Sequence, residues 1–458
     1  VPAQLNGILN FTSPTTLMMR LLTLCLNLAA TLAIHSSESQ QKCDLGDTSK
    51  DLDLVVYGAS GLTGNMAAEY LARKNPEGVR WAIAGRNEEK LRQAANKTLK
   101  AANPLIPAPE IIVAGLWDYS ALSVMTKRAR VVLSFAGPFE ANGGEQLVAA
   151  SVANCAHYVD ISTETVWKSV IMTKYGFLAR KKGLALVQSA GFNSMASDLL
   201  AMSAIESFME AGNKEAPTDV MVLWTKLNGP DSKGMVQAQM ADKVHGVIKD
   251  PYILSPQTRM YMRTDWMVDG MEPGMSMHGV YKALHVTLDS SAWGGLDVPV
   301  IRRSIGMKYP DSMISVHQAV NKSMVQDRAH FLTYHPKADK SDNLLKAISK
   351  GSLRWMGNKH WQLEEGAFEG MAFATGRWGA EHERDIPVHA VHMTGQGDPS
   401  ILGSAKMATE LALGLAASGP AEAGYLTPCT ALGLQALEER LKAVDDQRFL
   451  TMTRVELA

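Results

Sequence analysis

The stretch DLVVYGASGLTGNMAAEYLA, residues 53–72, decides the fold. Residues 54–57 are an unbroken apolar run of the kind that fills a strand buried on both faces. From residue 64 the apolar side chains recur at helical spacing and predict a helix over 64–74. Between the two, Gly58, Gly61 and Gly64 stand where the strand must turn into the helix. Gly58 permits a tight turn, Gly61 lets backbone amides approach a pyrophosphate, and Gly64 allows the helix to pack close on the strand. The N-terminus of the helix offers unpaired N–H groups and a partial positive charge to phosphates. Ser60 and Thr63 add hydroxyl donors. The spacing is GxxGxxG rather than GxGxxG, so the signal rests on its place after a strand, before a helix and at the start of a βαβ unit.

The same alternation continues along the chain. Apolar runs at 81–84, 110–114, 130–136, 157–161 and 184–190 are separated by helical stretches such as 88–100 and 142–154. Strands spaced by helices require right-handed crossovers and a parallel sheet covered on both faces. The fold class is therefore α/β, a Rossmann-type doubly wound parallel sheet, over residues 51–210. At the end of the second strand Arg86 lies 22 positions after Gly64, where an NAD site usually carries an acidic residue for the ribose. A guanidinium suits a 2′-phosphate with bidentate geometry, so the expected cofactor is NADP, with NAD less favoured, and Asn87 assists. Asp118, after the third strand, either lies near the adenine ring or caps the next helix. Gly137 and Pro138 form a rigid turn after the fourth strand, at the edge where ligands lie. Asp160, Ser162, Thr163 and Glu164 follow along that edge, where polar residues are binding-site candidates and Ser162 with Glu164 equally reads as a helix start, while Tyr158 just before them either joins the pocket or faces the core.

Composition narrows the function. In 458 residues, 45 lysines and arginines nearly cancel 46 aspartates and glutamates, so no field attracts nucleic acid. Cys25, Cys43, Cys155 and Cys429 are scattered without metal-ligand spacing, which reads as a thiol-reduced interior with no structural zinc. His389 and His392 are neighbours in a strand pattern and point to opposite faces. The first 34 residues carry only the charge of Arg20, followed by an apolar run over 21–34. That run is shorter than the roughly 20 residues of a span. It suits a targeting leader, a membrane-associated anchor or a helix docked on a partner. The expected location is a plastid or mitochondrion in contact with its membrane, with the secretory pathway as an alternative. Residues 36–50 are polar and form a linker to the first domain.

Beyond residue 210 the pattern is weaker. Stretches 219–227, 368–378 and 385–393 alternate like strands and suggest an open sheet in a second mixed α/β domain, over 211–395, for substrate and subunit pairing. Residues 250–280 hold Met260, Met262, Met267, Met271, Met275 and Met277; such a stretch covers an apolar substrate, contacts a partner or lipid, or simply fills gaps. Residues 396–458 supply helices over 399–418 and 433–443 and a strand over 448–455 that return to the core.

VVYGASGLTG, WAIAGRNEEKL, VVLSFAGPFEANGGEQLVAASVANCAHYVDISTE and SAGFNSMASDLLAM occur in order, and GYLTPCTALGLQALEERL follows late. With these motifs the chain resembles the saccharopine dehydrogenase-like oxidoreductases, including the trans-acting enoyl reductase group. The resemblance implies an NAD(P)-binding Rossmann domain, followed by a mixed α/β domain that covers the cofactor and often pairs subunits. Relatives commonly read YVDLTGE and GFDSIPSD. Here Thr163 stands for a glycine, Asn193 for an aspartate and Ala196 for a proline. An amide has neither the charge nor the proton exchange of a carboxylate. The phosphate side is thus intact while the chemical edge is altered, and Tyr158, Ser162, Glu164 and Asn193 are the candidates for the catalytic side. Two readings stand: an NADP(H)-dependent oxidoreductase acting on an apolar substrate, alone or as a homodimer, and a weakly catalytic Rossmann subunit of a larger organellar membrane assembly.

Overall fold

The computed structural model describes residues 42–44, 50–74, 78–101, 109–213, 215–228, 253–255, 288–290, 294–312, 314–321, 363–376 and 388–456. The apolar run at 21–34 and, apart from 253–255, the methionine-rich stretch at 250–280 lie outside these residues. Asp44–Ala458 forms one compact unit.

The first sheet grows outward from β1 (Leu52–Tyr57). Its residues Leu54, Val55 and Val56 have no solvent exposure, because strands pair on both sides and helices cover both faces. On one side stand β2 (Trp81–Gly85) and β3 (Glu110–Val113); on the other β4 (Ala129–Ser134), β5 (His157–Asp160) and β6 (Ala185–Val187). All pairs are parallel, with Val56 opposite Ile83 in β2 and Leu133 in β4. The crossover helices are α1 (Leu62–Lys74), α2 (Glu88–Ala101), α3 (Tyr119–Arg128), α4 (Gly144–Ala153) and α5 (Thr165–Lys182). Strand order reverses between β1 and β4, so the loops after these two strands open a crevice at the carboxyl edge.

Six strands make the second sheet: β7 (Asp219–Asn228), β8 (Leu288–Ser290), β9 (Ser315–Asn321), β10 (Ala367–Thr375), β11 (Val388–Gln396) and β13 (Leu450–Glu456). Only β7 and β9 pair in parallel, so the sheet is mixed. The alternating stretches at 219–227, 368–378 and 385–393 correspond to β7, β10 and β11. β12 (Gly424–Leu426), between helices near the C-terminus, adds itself to β6 as the seventh strand of the first sheet. Three residues are too few to leave a periodic signal. The C-terminal segment therefore contributes to both sheets.

Helix α6 (Phe192–Glu210) follows β6 and is buried on nearly every side. It packs on β10, β11 and on α7 (Gly294–Lys308). A relay of aromatic rings, Trp224, Phe192, Phe368 and Phe449, runs through this region at centroid distances of 5.3, 4.8 and 5.9 Å. Residues 399–418 form a wide turn over Pro399–Gly403 and then α8 (Ser404–Ser418), which covers α1 and β4. α9 (Pro428–Leu432) and α10 (Leu434–Lys442) complete the fold. On α8 the buried Glu410 gathers Tyr70, Lys74 and Arg440 around its carboxylate.

At the amino edge the buried ammonium of Lys50 donates to the carbonyls of Ala129 (2.6 Å), Asn154 (2.9 Å) and Thr126 (3.3 Å). It thereby serves carbonyls left over at the C-terminal ends of α3 and α4. The histidines behave as strand neighbours: His389 meets the Phe208 ring edge-on, while His392 bonds Glu369 at 2.9 Å. The expectation of reduced thiols is corrected, since Cys43 and Cys155 are disulfide-bonded. Among the described residues Cys429 is a free, buried thiol. Neither cysteine stands in a local pattern from which a bond could be read.

Candidate functional site

The glycine loop follows from steric need. Gly58 takes φ +83° and lies so close to the loop after β4 that a Cβ would meet Ala136 N and Phe135 C at 3.1 Å. A Cβ on Gly64 would sit 2.4 Å from Gly58 O, so helix and strand can approach only with glycine there. The N–H of Gly61 is committed to Gly58 O at 2.9 Å. The amides available to an anion are therefore those of the first turn of α1, residues 62–64, which have no partner within the helix. Ser60 is exposed and Thr63 half-buried beside them.

An exposed rim continues across the neighbouring strand ends. Arg86 follows β2 directly and is exposed; among the described residues its guanidinium has no carboxylate partner. Asn87 spends its side-chain oxygen on the N–H of Lys90 (2.9 Å) at the start of α2. Asp118 likewise caps α3, accepting from Ala121 N at 3.0 Å. Of the two roles read for Asp118, the structure displays the capping one. Below the rim Tyr57 donates to Ala114 O at 2.7 Å; burial pushes its phenol up to about 12 against the opposing charge of Arg86.

After β4 the chain runs through Gly137 and Pro138, both exposed and joined by a cis peptide bond. The buried Glu164 holds the next residue, accepting from Phe139 N with both oxygens at 3.0 and 3.2 Å. The Phe139 ring stacks on Trp167 at 5.5 Å. Burial first, and the neighbouring Asp160 carboxylate second, push the Glu164 carboxyl up to about 7. Asp160 is fully buried and raised by burial alone, against the bonds it accepts from Ser162 N at 2.9 Å and Gln188 at 3.2 Å. Tyr158 lies wholly inside the sheet, its hydroxyl raised by burial and by Asp160. It forms a wall behind the edge, not part of the exposed rim. Ser162 is also buried, with its carbonyl accepting from Ser189 Oγ at 3.2 Å.

Sequence reasoning missed what stands behind this edge. Lys168, fully buried on α5, donates to Ser189 Oγ at 2.9 Å. Asn193 is half-buried on the first turn of α6. Its neighbour Ser194, together with Ser197 and Gln318, donates to the buried Asp297 of α7 at 3.1, 2.9 and 2.8 Å. Burial raises Asp297, while these donors and the charge of Lys168 oppose the shift. Asp198, one residue after Ser197, is pushed up to about 6 by burial and accepts from Cys429 N at 3.3 Å. Polar residues in apolar helical stretches were the only available signal, and they do not reveal partners about a hundred positions away.

With this geometry in place, the comparisons are specific. Residues 54–187 match the family model described as the saccharopine dehydrogenase NADP binding domain. A Caenorhabditis elegans lipid droplet localized protein is 38% identical over 148 residues, 32% of this chain and 34% of that one. A human saccharopine dehydrogenase-like oxidoreductase is 35% identical over 173 residues, 34% of this chain and 40% of that one. A trans-acting enoyl reductase-like protein of Mycobacterium tuberculosis is 30% identical over 217 residues, 46% of this chain and 50% of that one. The chain thus matches half or less of the length of each of these relatives.

Proposed function

With residues 54–187 matching a saccharopine dehydrogenase NADP-binding domain as the premise, we propose that the chain is an NADP(H)-dependent oxidoreductase acting on an apolar substrate. The observation that carries this reading is the exposed rim at the strand-order reversal, running from the glycine loop to Arg86. The first-turn amides of α1 would hold the pyrophosphate, and Arg86 the 2′-phosphate. Bound cofactor supplies or accepts the hydride. The chain's own residues position it: Glu164 fixes the loop at Pro138 and Phe139 through the Phe139 N–H. Ser162 and Asn193, on the same edge, orient the substrate. Asn193 does so by hydrogen bonding without charge. The relative named for lipid droplets supports work at a lipid surface.

The test is a titration of the protein with NADPH and NADH, followed by nicotinamide fluorescence, beside an Arg86→Glu variant. A charge-assisted contact of about 1.5 to 3 kcal/mol predicts a preference for NADPH of roughly ten- to a hundredfold, lost in the variant. No binding of either nucleotide would sink the proposal. A binding protein is then offered lipid extracts. Binding without any NADPH consumption would favour a nucleotide-holding subunit of a membrane assembly, a reading to which the buried Tyr158 and the amide at Asn193 give some weight.

A further inference from the structure

Trp117 is the most exposed large apolar side chain among the described residues, at 78%. It sits in the turn from Gly115 to Asp118, closed by Asp118 N to Gly115 O at 3.0 Å. That turn is tied down at both ends. Ala114 N donates to Gly85 O at 2.9 Å and Ala114 O accepts from Tyr57, which anchors its start to the ends of β2 and β1. Asp118 caps α3 and anchors its finish. The indole itself is held along one edge: a Cβ on Gly143 would lie 2.9 Å from its Cζ2, and Gly143, at φ +84°, is buried at the start of α4. The ring thus rests one edge on the backbone at Gly143 and keeps most of its surface open to solvent.

The place of the ring matters. Arg86 and the Trp117 turn follow adjacent strands, β2 and β3, and both border the Tyr57 phenol: Ala114 O accepts its proton, and the Arg86 charge bears on it. A nucleotide whose 2′-phosphate meets Arg86 carries its purine toward the outer strand ends, away from the strand-order reversal. An open indole offers a purine a broad stacking face, and a side chain with only two rotatable bonds costs little entropy to hold. We propose that Trp117 is the stacking wall for the adenine of the dinucleotide. The inference rests on the NADP(H) reading above and adds a residue that the glycine and arginine pattern does not reveal.

The experiment compares the wild-type chain with Trp117→Ala and Trp117→Phe. NADPH and reduced nicotinamide mononucleotide are titrated by nicotinamide fluorescence, and adenosine 2′,5′-bisphosphate by its displacement of NADPH. With the ring removed, NADPH and the adenosine bisphosphate weaken by about tenfold, the mononucleotide is unchanged, and phenylalanine restores most of the affinity. Because Trp117 is largely exposed, the alanine variant keeps the fold. Unchanged NADPH affinity in Trp117→Ala, with the wild type binding, overturns the stacking wall alone. An equal loss for the mononucleotide also overturns it, since that ligand has no adenine. A wild type that binds no NADPH overturns both this inference and the reading beneath it.

Discussion

Glu164 offers a stability measurement whose sign and size follow from the structure. Its ordinary pKa of 4.5 is pushed up to about 7 by burial and by Asp160. The folded chain therefore holds this proton more tightly than the unfolded chain does. Between those two values the folded state binds more protons, so its stability falls as pH rises. The stabilising contribution is complete below about pH 4.5 and is lost as pH passes through about 7. A separation of roughly two and a half pH units, at about 1.36 kcal/mol for each, amounts to about 3 kcal/mol. Glu164→Gln removes the titration while its amide oxygen still accepts from Phe139 N. In urea unfolding followed by tryptophan fluorescence, the two proteins should match near pH 4.5 and separate steadily above it. By about pH 8 the glutamine variant should be the more stable by an amount approaching 3 kcal/mol. Asp160 titrates in both proteins, so the difference reports Glu164 together with its coupling to Asp160. A gap that stays constant across this range, or a variant less stable than wild type at the alkaline end, would refute the reasoning.

Gly64→Ala places a Cβ 2.4 Å from Gly58 O and should cost about 1 to 3 kcal/mol in urea unfolding while weakening NADPH binding; a variant unchanged in both would show that the helix does not need this approach. Lys50→Met leaves the carbonyls of Thr126, Ala129 and Asn154 without their shared donor and should cost about 2 to 3 kcal/mol by the same assay. A loss below about 0.5 kcal/mol would mean that water replaces the ammonium.

The phosphate half of the candidate site was legible because its logic is local. Gly58, Gly61 and Gly64 lie within one turn of chain; Gly61 and Gly64 face Gly58 O, a near neighbour, and Gly58 takes a positive φ that favours glycine, while its contact with Phe135 and Ala136 across the sheet was not legible. The bond by which the Gly61 N–H closes the turn on Gly58 O is not read from the spacing. The first six strands of the first sheet were legible for the same reason: buried parallel strands are continuous apolar runs. β12 was not, because three residues gain strand character only from β6, far away in sequence. β9, with His317 and Gln318 inside it, lacks clean alternation, because Gln318 turns its amide to Ser197 and Asp297. Of the two places open to Tyr158, pocket or core, the structure takes the core, because a sheet covered on both faces buries it.

The charged groups at the two edges of the first sheet differ in kind, and the difference bears on which residues carry chemistry. At the amino edge Lys50 and Lys182 put buried ammonium groups on leftover helix carbonyls, Lys182 on those of Val152 and Ala153 at 3.1 Å each. These cations meet the negative ends of helices, so helix capping is enough to account for them. Toward the carboxyl edge and the second sheet, Asp160, Glu164, Asp198 and Asp297 are buried with raised pKa values. Glu164 and Asp297 stand at helix starts, where the dipole favours the charged form. Burial nevertheless outweighs it, so each carboxylate costs folding free energy that an apolar residue would not. Carboxyls held under such tension gather at functional sites. This group is assembled from the end of β5, the start of α5, α6 and α7, with Gln318 of β9 donating to Asp297. Substrate recognition is therefore to be sought where the second sheet meets the edge, not in the glycine loop.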